Sequence, residues 1–135
     1  MTAEGPQAGL THSRSLIVDP SVIVPTLTPA HRLPPMLVTP CTVGFVEATC
    51  IDALKPFLGR GKRTVGTHVD LSHVAATPVG MRVTAKMELV AVEGRKLRFK
   101  VECRDEQEII GAGFHERAII EEAKFLARLK VKAAG

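Results

Sequence analysis

Thr39–Leu58, TPCTVGFVEATCIDALKPFL, is the stretch that decides the fold. At about 100° per residue, Val43, Val46, Cys50, Ile51, Leu54, Phe57 and Leu58 share one broad apolar face, with Thr49, Asp52 and Lys55 opposite. This spacing predicts a helix that other segments wrap. Thr39 before Pro40 is a start signal, a capping hydroxyl followed by a proline suited to the first turn, and Thr42 is a second candidate cap. Lys55-Pro56 kinks or ends the helix, and Gly59 and Gly61 terminate it. Inside the apolar face lies one carboxylate, Glu47. It loses hydration there unless something pairs with it, so it is either a carboxylate held by an arginine or a base poised for chemistry.

On either side of this helix the chain reads as strands. Residues 1–12, MTAEGPQAGLTH, are small and turn-forming and predict a flexible end. Ser15–Val18 predicts a short strand ended by Asp19-Pro20, with Val22-Ile23-Val24 as a candidate extension. Pro25–Pro40 contains five prolines, which exclude a regular helix or a central strand and leave a lid or a connector. After a basic linker, Gly59–Arg63, β-branched residues predict a strand over Thr64–Val74. Arg82–Val92 alternates, with Val83, Ala85, Met87 and Leu89 on one side. Lys96–Arg104 repeats this with Leu97, Phe99, Val101 and Cys103 inward, and Glu108–Ile120 completes the set. Glu121–Lys132 carries Phe125, Leu126 and Leu129 at helical spacing, which predicts a short amphipathic C-terminal helix. Four consecutive strands joined by tight turns predict an antiparallel meander. One sheet face must cover the apolar helix, which makes the chain a single α+β domain over residues 1–135, with a sheet wrapped around one helix in the hot-dog arrangement. A homodimer formed edge to edge would dispose of an exposed edge strand.

Composition narrows the class of function. The 135 residues hold 18 basic and 14 acidic side chains, scattered, for a net charge of +4. No arginine-rich arm or basic–aromatic interleaving points to nucleic acid. No apolar run reaches the roughly 18–20 residues that would span a bilayer. The three cysteines, Cys41, Cys50 and Cys103, have no metal-ligand spacing, and with no signal peptide they fit a reducing cytoplasm.

The polar residues that could carry chemistry are few. Glu47 is a candidate base or nucleophile. His73 competes with the pair His68 and Asp70, which share a face of the same predicted strand. Thr39 is most economically a cap, because eight helical residues span about 12 Å and separate it from Glu47. Gly66 would let a backbone N–H approach a substrate oxygen. Gly111-Ala112-Gly113 reads as a bulge or close approach. His115-Glu116-Arg117 reads as solvated surface, with Arg117 able to hold an anion.

Several segments together resemble the fluoroacetyl-CoA thioesterase-like group of hot-dog proteins. They are TVGFVEATC, VGTHVDLSHVAATPVGMRVTA, VEGRKLRFKVE and GAGFHERAII, in order, across Val38–Phe125. The resemblance implies hydrolysis of a short acyl-CoA thioester, with no metal or cofactor, by a homodimer that could pair further into a tetramer. The family's Thr, Glu and His fall on Thr39, Glu47 and His73, its oxyanion-binding glycine on Gly66, and its basic residue on Arg117. Glu47 would attack the carbonyl or activate water, His73 would assist the leaving thiolate, and Thr39 would orient the carboxylate or the substrate. CoA phosphates would fall to Arg117, Arg60, Lys62 and Arg63. Fluoroacetyl-selective members carry aromatic residues before the threonine. Pro25–Val38 has none, which predicts a different or broader acyl group. A non-catalytic acyl-CoA-binding protein and an enoyl-CoA hydratase using His68 and Asp70 are the rival readings.

Overall fold

The computed structural model describes residues 5–22 and 34–135. Its elements are β1 (Thr11–Ile17), a 3₁₀ turn over Pro20–Val22, α1 (Thr39–Leu54), a 3₁₀ turn over Lys55–Phe57, β2 (Lys62–Leu71), β3 (Arg82–Glu93), β4 (Lys96–Arg104), β5 (Ile109–Glu121) and α2 (Glu122–Ala133). The five strands form one antiparallel sheet in the order β1-β3-β4-β5-β2, curled around α1. This is the expected hot-dog arrangement.

The expected four-strand meander is corrected. Only β3, β4 and β5 are consecutive neighbours, and β2 pairs with β5 at the far edge. Ser72–Met81 is long enough to cross between sheet edges, whereas a tight turn would have forced β2 beside β3. The first strand also starts earlier than expected. Thr11–Ile17 pairs with Arg82–Glu88, and Gly9 N–H donates to the Leu89 carbonyl at 2.9 Å, so the segment from Gly9 is anchored to the sheet. Pro20–Val22 is a turn where an extended continuation was expected. Ile23, Val24 and the Pro25–Leu33 part of the proline-rich stretch lie outside the described residues. Leu37 and Val38, just before α1, are buried, and Leu37 N–H bonds the Thr77 carbonyl at 2.9 Å.

The helix is present but rotated from the expected face. Its buried residues are Thr42, Phe45, Val46, Thr49, Cys50, Ala53 and Leu54, a stripe of helical period, while Ile51 is exposed. Threonine enters the stripe because its hydroxyl finds a partner in the turn before it. Thr49 Oγ1 donates to the Phe45 carbonyl at 2.8 Å and Thr42 Oγ1 to the Val38 carbonyl at 3.3 Å. Facing the stripe are Val83, Ala85, Met87 and Leu89 of β3 and Leu97, Phe99, Val101 and Cys103 of β4, all buried. Each large side chain buried this way contributes roughly 1.5–3 kcal/mol. An Arg14–Asp52 ion pair at 2.9 Å ties the other flank of α1 to β1.

Two glycines set how sharply the sheet closes. A Cβ on Gly113 would run into the Asp70 carbonyl oxygen, and one on Gly111 into that of Ser72. No side chain fits there, so β2 can fold over this end of β5 only because both positions lack one. Pairing continues past the end of β2, with Ser72 N–H on the Ala112 carbonyl at 3.0 Å and Val74 N–H on that of Ile110 at 2.7 Å. At the other end, α2 buries no residue, and Leu126 and Leu129 are exposed. No described helix is long and apolar enough to cross a membrane.

Candidate active site

Two polar clusters lie along α1. The first is at its start. Val38 occupies the cap position and Thr39 is already helical, without a side-chain capping bond. The expectation of Thr39 as a cap is therefore corrected. Its Oγ1 lies 2.7 Å from Nδ1 of His73, which the β2–β5 pairing holds beside the helix end. The other ring nitrogen of His73, Nε2, is buried with no partner among the described residues. Burial pushes the His73 pKa below its ordinary value, which favours the neutral ring. An unsatisfied buried polar atom costs about 1–3 kcal/mol. Here Nε2 is the ring nitrogen that could hydrogen-bond a ligand atom or water.

The second cluster lies about two turns along the helix. Glu47 is on the shoulder of the buried stripe, with its side chain 37% exposed, and Oε2 accepts from Nη1 of Arg117 at 3.0 Å. Arg117, on β5, is 3% exposed. Its Nε donates to Thr64 Oγ1 at 2.9 Å, its Nη2 to the Thr64 carbonyl at 3.0 Å, and its Nη1 also lies 3.2 Å from Nε2 of His115. His115 is fully buried, and its Nδ1 lies 2.8 Å from the His68 carbonyl. A carbonyl only accepts, so Nδ1 carries the proton and Nε2 is the acceptor for Arg117. Burial, helped by the Arg117 charge, keeps the His115 pKa below its ordinary value and agrees with that neutral tautomer.

Gly66 sits against this cluster. A Cβ there would lie 3.1 Å from Glu47 Oε2 and 3.4 Å from both Arg117 Nη1 and His115 Cε1. The β2–β5 register shifts between Gly66 and His68, so the backbone bulges beside the carboxylate. Gly66 therefore brings backbone close to Glu47.

The expected residues thus fall into two pairs, Thr39 with His73 and Glu47 with Arg117, with Gly66 beside the latter. Arg117 does not fit the expected surface cation for CoA phosphates, because Nε, Nη1 and Nη2 are all engaged inside the protein. Arg60, Lys62 and Arg63 remain exposed where α1 runs into β2, with Arg63 3.4 Å from Glu122. His68 and Asp70 are exposed, and no hydrogen bond joins their side chains. The apparent surface group His115-Glu116-Arg117 is split by strand alternation. His115 and Arg117 point inward, and Glu116 points outward to Arg98 at 3.7 Å. His115 and Thr64 were missed as site residues. The signal for His115 was that period-two alternation, which groups His115 and Arg117 with Gly111 and Gly113 on one face, whereas nothing in the pattern of β2 marks Thr64. No group of three or more His, Cys, Asp or Glu side chains suited to a metal occurs among the described residues.

Chemically, the arrangement offers a carboxylate with one oxygen fixed by a buried guanidinium and Oε1 unbonded to any described residue. A backbone position without a side chain lies beside it, and a neutral imidazole with one uncommitted nitrogen lies up the helix. That set suits acyl transfer to water.

Known proteins share this architecture. A model of the FlK family, fluoroacetyl-CoA-specific thioesterase, matches residues 18–123. The chain is similar to the fluoroacetyl-CoA thioesterase of Streptantibioticus cattleyicolor, with 36% identity over 133 residues covering 96% of each chain. It is similar to the solved fluoroacetyl-CoA thioesterase FlK, with a TM-score of 0.90 at 36% identity, covering 96% of this chain and 98% of that one. A mutant of FlK in complex with acetyl-CoA gives 0.89 at 35% identity, covering 94% and 98%.

Proposed function

The chain belongs to the fluoroacetyl-CoA-specific thioesterase family, and we propose that it hydrolyses short-chain acyl-CoA thioesters with Glu47, His73 and Thr39 as its catalytic residues. It is an acyl-CoA thioesterase, a thioester hydrolase of hot-dog fold. The observation that carries the site reading is the half-exposed Glu47 carboxylate, held by buried Arg117 beside Gly66.

In this reading Glu47 Oε1 attacks the thioester carbonyl or takes a proton from the attacking water. The Gly66 backbone N–H meets the developing oxyanion, a contribution of about 3 kcal/mol for one good donor. Helical side chains lean toward the N-terminus, so Glu47 reaches back toward the Thr39 end of α1. The reacting group then lies between Glu47 and His73. His73 Nε2 hydrogen-bonds the sulfur as it leaves, and the Thr39 hydroxyl holds the ring. Arg117 serves substrate binding at the acyl end, through Glu47, rather than at the phosphates. Those fall to Arg60, Lys62 and Arg63. The chemistry draws on the Glu47, His73 and Thr39 side chains and on the Gly66 backbone N–H.

A homodimer joined through the free edge of β2 completes the reading. That edge exposes Val69 and, among the described residues, has no second strand beside it in the sheet. Three free cysteines, two of them buried, suit a reducing cytoplasm. The absence of aromatic residues from positions 25–38 supports an acyl range broader than fluoroacetyl.

Steady-state thiol release from a panel of acyl-CoAs, by the native protein and Glu47→Ala, tests the proposal. Turnover of short acyl-CoAs that collapses in Glu47→Ala is the expected result. Tight acyl-CoA binding without turnover would assign a binding protein instead, and an unaffected variant would remove Glu47 from the chemistry. Isotope from labelled water entering Glu47 distinguishes an anhydride intermediate from direct water attack.

A further inference from the structure

Resting on that reading of Glu47, we propose that His115 is a positioning residue, which aims the Arg117 guanidinium so that Glu47 Oε2 is held in one orientation. The ring is fully buried, and both nitrogens are in use, Nδ1 toward the His68 carbonyl at 2.8 Å and Nε2 toward Arg117 Nη1 at 3.2 Å. It also stacks on Phe99, with ring centroids 6.3 Å apart. An apolar side chain would supply that packing alone, so packing does not explain an imidazole here.

What the imidazole adds is a link between the β2 bulge and the guanidinium. The register shift lies between Gly66 and His68, next to the His68 carbonyl that His115 engages. The guanidinium is a planar fork. Thr64 fixes its Nε and Nη2 edge, and His115 fixes one direction at Nη1. The remaining Nη1 direction is then set, and Glu47 Oε2 lies along it at 3.0 Å. With Thr64 as the only anchor, the fork would pivot on that edge and Oε2 would follow it.

Asparagine and glutamine separate the two ring nitrogens. His115→Asn retains a donor for the His68 carbonyl but does not reach Arg117, while His115→Gln extends an amide oxygen to where Nε2 stands. A misplacement near 1 Å costs about 100-fold in rate. In His115→Asn, kcat on the best acyl-CoA should fall about 10-fold or more with KM within about 2-fold, since the CoA handle is untouched. His115→Gln should stay within about 3-fold of the native kcat. Crystal structures of both variants give a readout free of activity: the hydrogen bond from Nη1 to Oε2 persists in Gln and is broken in Asn. An Asn variant in which that bond persists overturns the positioning role. Equal losses of kcat in both variants overturn it too, by pointing to packing. Should the Asn variant not fold, a folded Gln variant in which the bond is broken, or in which kcat is down more than 10-fold, overturns it alone. Unchanged turnover in Glu47→Ala would instead overturn the catalytic reading of Glu47, and the crystal structures keep that failure distinct.

Discussion

Gly66→Ala adds one methyl group at the most crowded point of the site, and its effect can be worked out from the distances there. The new Cβ would stand 3.1 Å from Glu47 Oε2 and 3.4 Å from Arg117 Nη1 and His115 Cε1. The first of these is too short to persist, so something moves by a few tenths of an ångström. Arg117 and His115 are buried and held by their own hydrogen bonds, whereas the Glu47 side chain is 37% exposed. Glu47 therefore yields, and its bond to Arg117 lengthens or bends. The φ of Gly66 is not in the left-handed region, so alanine introduces no backbone strain. Replacing glycine lowers the entropy of the unfolded chain and stabilises by about 0.4–1 kcal/mol. The weakened, half-solvated ion pair loses a similar amount, about 0–1 kcal/mol. The net change should stay within about 1 kcal/mol, or roughly 3–5 °C in Tm at this chain length. Catalysis has no such offset. A shift between a few tenths and 1 Å at the reacting carboxylate should lower kcat by about 5- to 100-fold. Thermal melts and steady-state thiol release on the same preparation check both numbers. A native kcat would refute the reasoning, and so would a Tm lowered by more than about 10 °C, which would mean that the backbone moved instead of Glu47.

Three further outcomes follow from the structure. Thr39→Val removes the hydroxyl 2.7 Å from His73 Nδ1 and should lower kcat by about 10-fold or more, with Thr39→Ser retaining most activity, as read by thiol release. Burial lowers the pKa of His73 and His115 below the ordinary 6.5, so below that pH the unfolded chain binds more protons than the folded one. Stability should be unaffected above pH 6.5 and fall progressively below it, with a smaller fall in His115→Gln, as followed by urea unfolding at pH 7.5 and 5.5. Burial raises the thiol pKa of Cys50 to about 12 and of Cys103 to about 11, so a thiolate-selective reagent should modify only half-buried Cys41 in the native protein and all three cysteines in denaturant, counted by mass spectrometry.

The parts of the fold that were legible in sequence are those whose burial is decided locally. β3 and β4 alternate because one face of each meets the core and the other meets water, and the eight inward residues follow from period two alone. The helix was legible as an element, but its face only in part: Val46, Cys50 and Leu54 are buried as expected, and Ile51 is not. Thr42 and Thr49 count as polar in any pattern, yet each silences its hydroxyl on a carbonyl of the preceding turn and packs as an apolar group. The strand order was hidden for a different reason. The pairing of β2 with β5 joins residues forty or more positions apart, and the chain between β2 and β3 is long enough for either route. The site divided in the same way. Glu47 stood out as a charge within an apolar face, while His115 and Arg117 looked like surface because the partners that make their burial tolerable lie on α1 and β2, far away in sequence.

The glycines of β5 give this site a dependence that its polar groups alone would not reveal. A Cβ on Gly111 would not only strike the Ser72 carbonyl oxygen but also lie 3.7 Å from the Cα of His73. The fold of β2 over β5 at that point determines where His73 leaves the sheet, and so whether its ring arrives beside Thr39. A methyl group at position 111 would push the crossing strand outward and swing the imidazole off the helix end, although it would touch neither substrate nor any ionisable group. The spacing between the halves of this site is maintained by a missing side chain, whose place the Ser72 carbonyl takes, and adding one would be felt as a fault in catalysis.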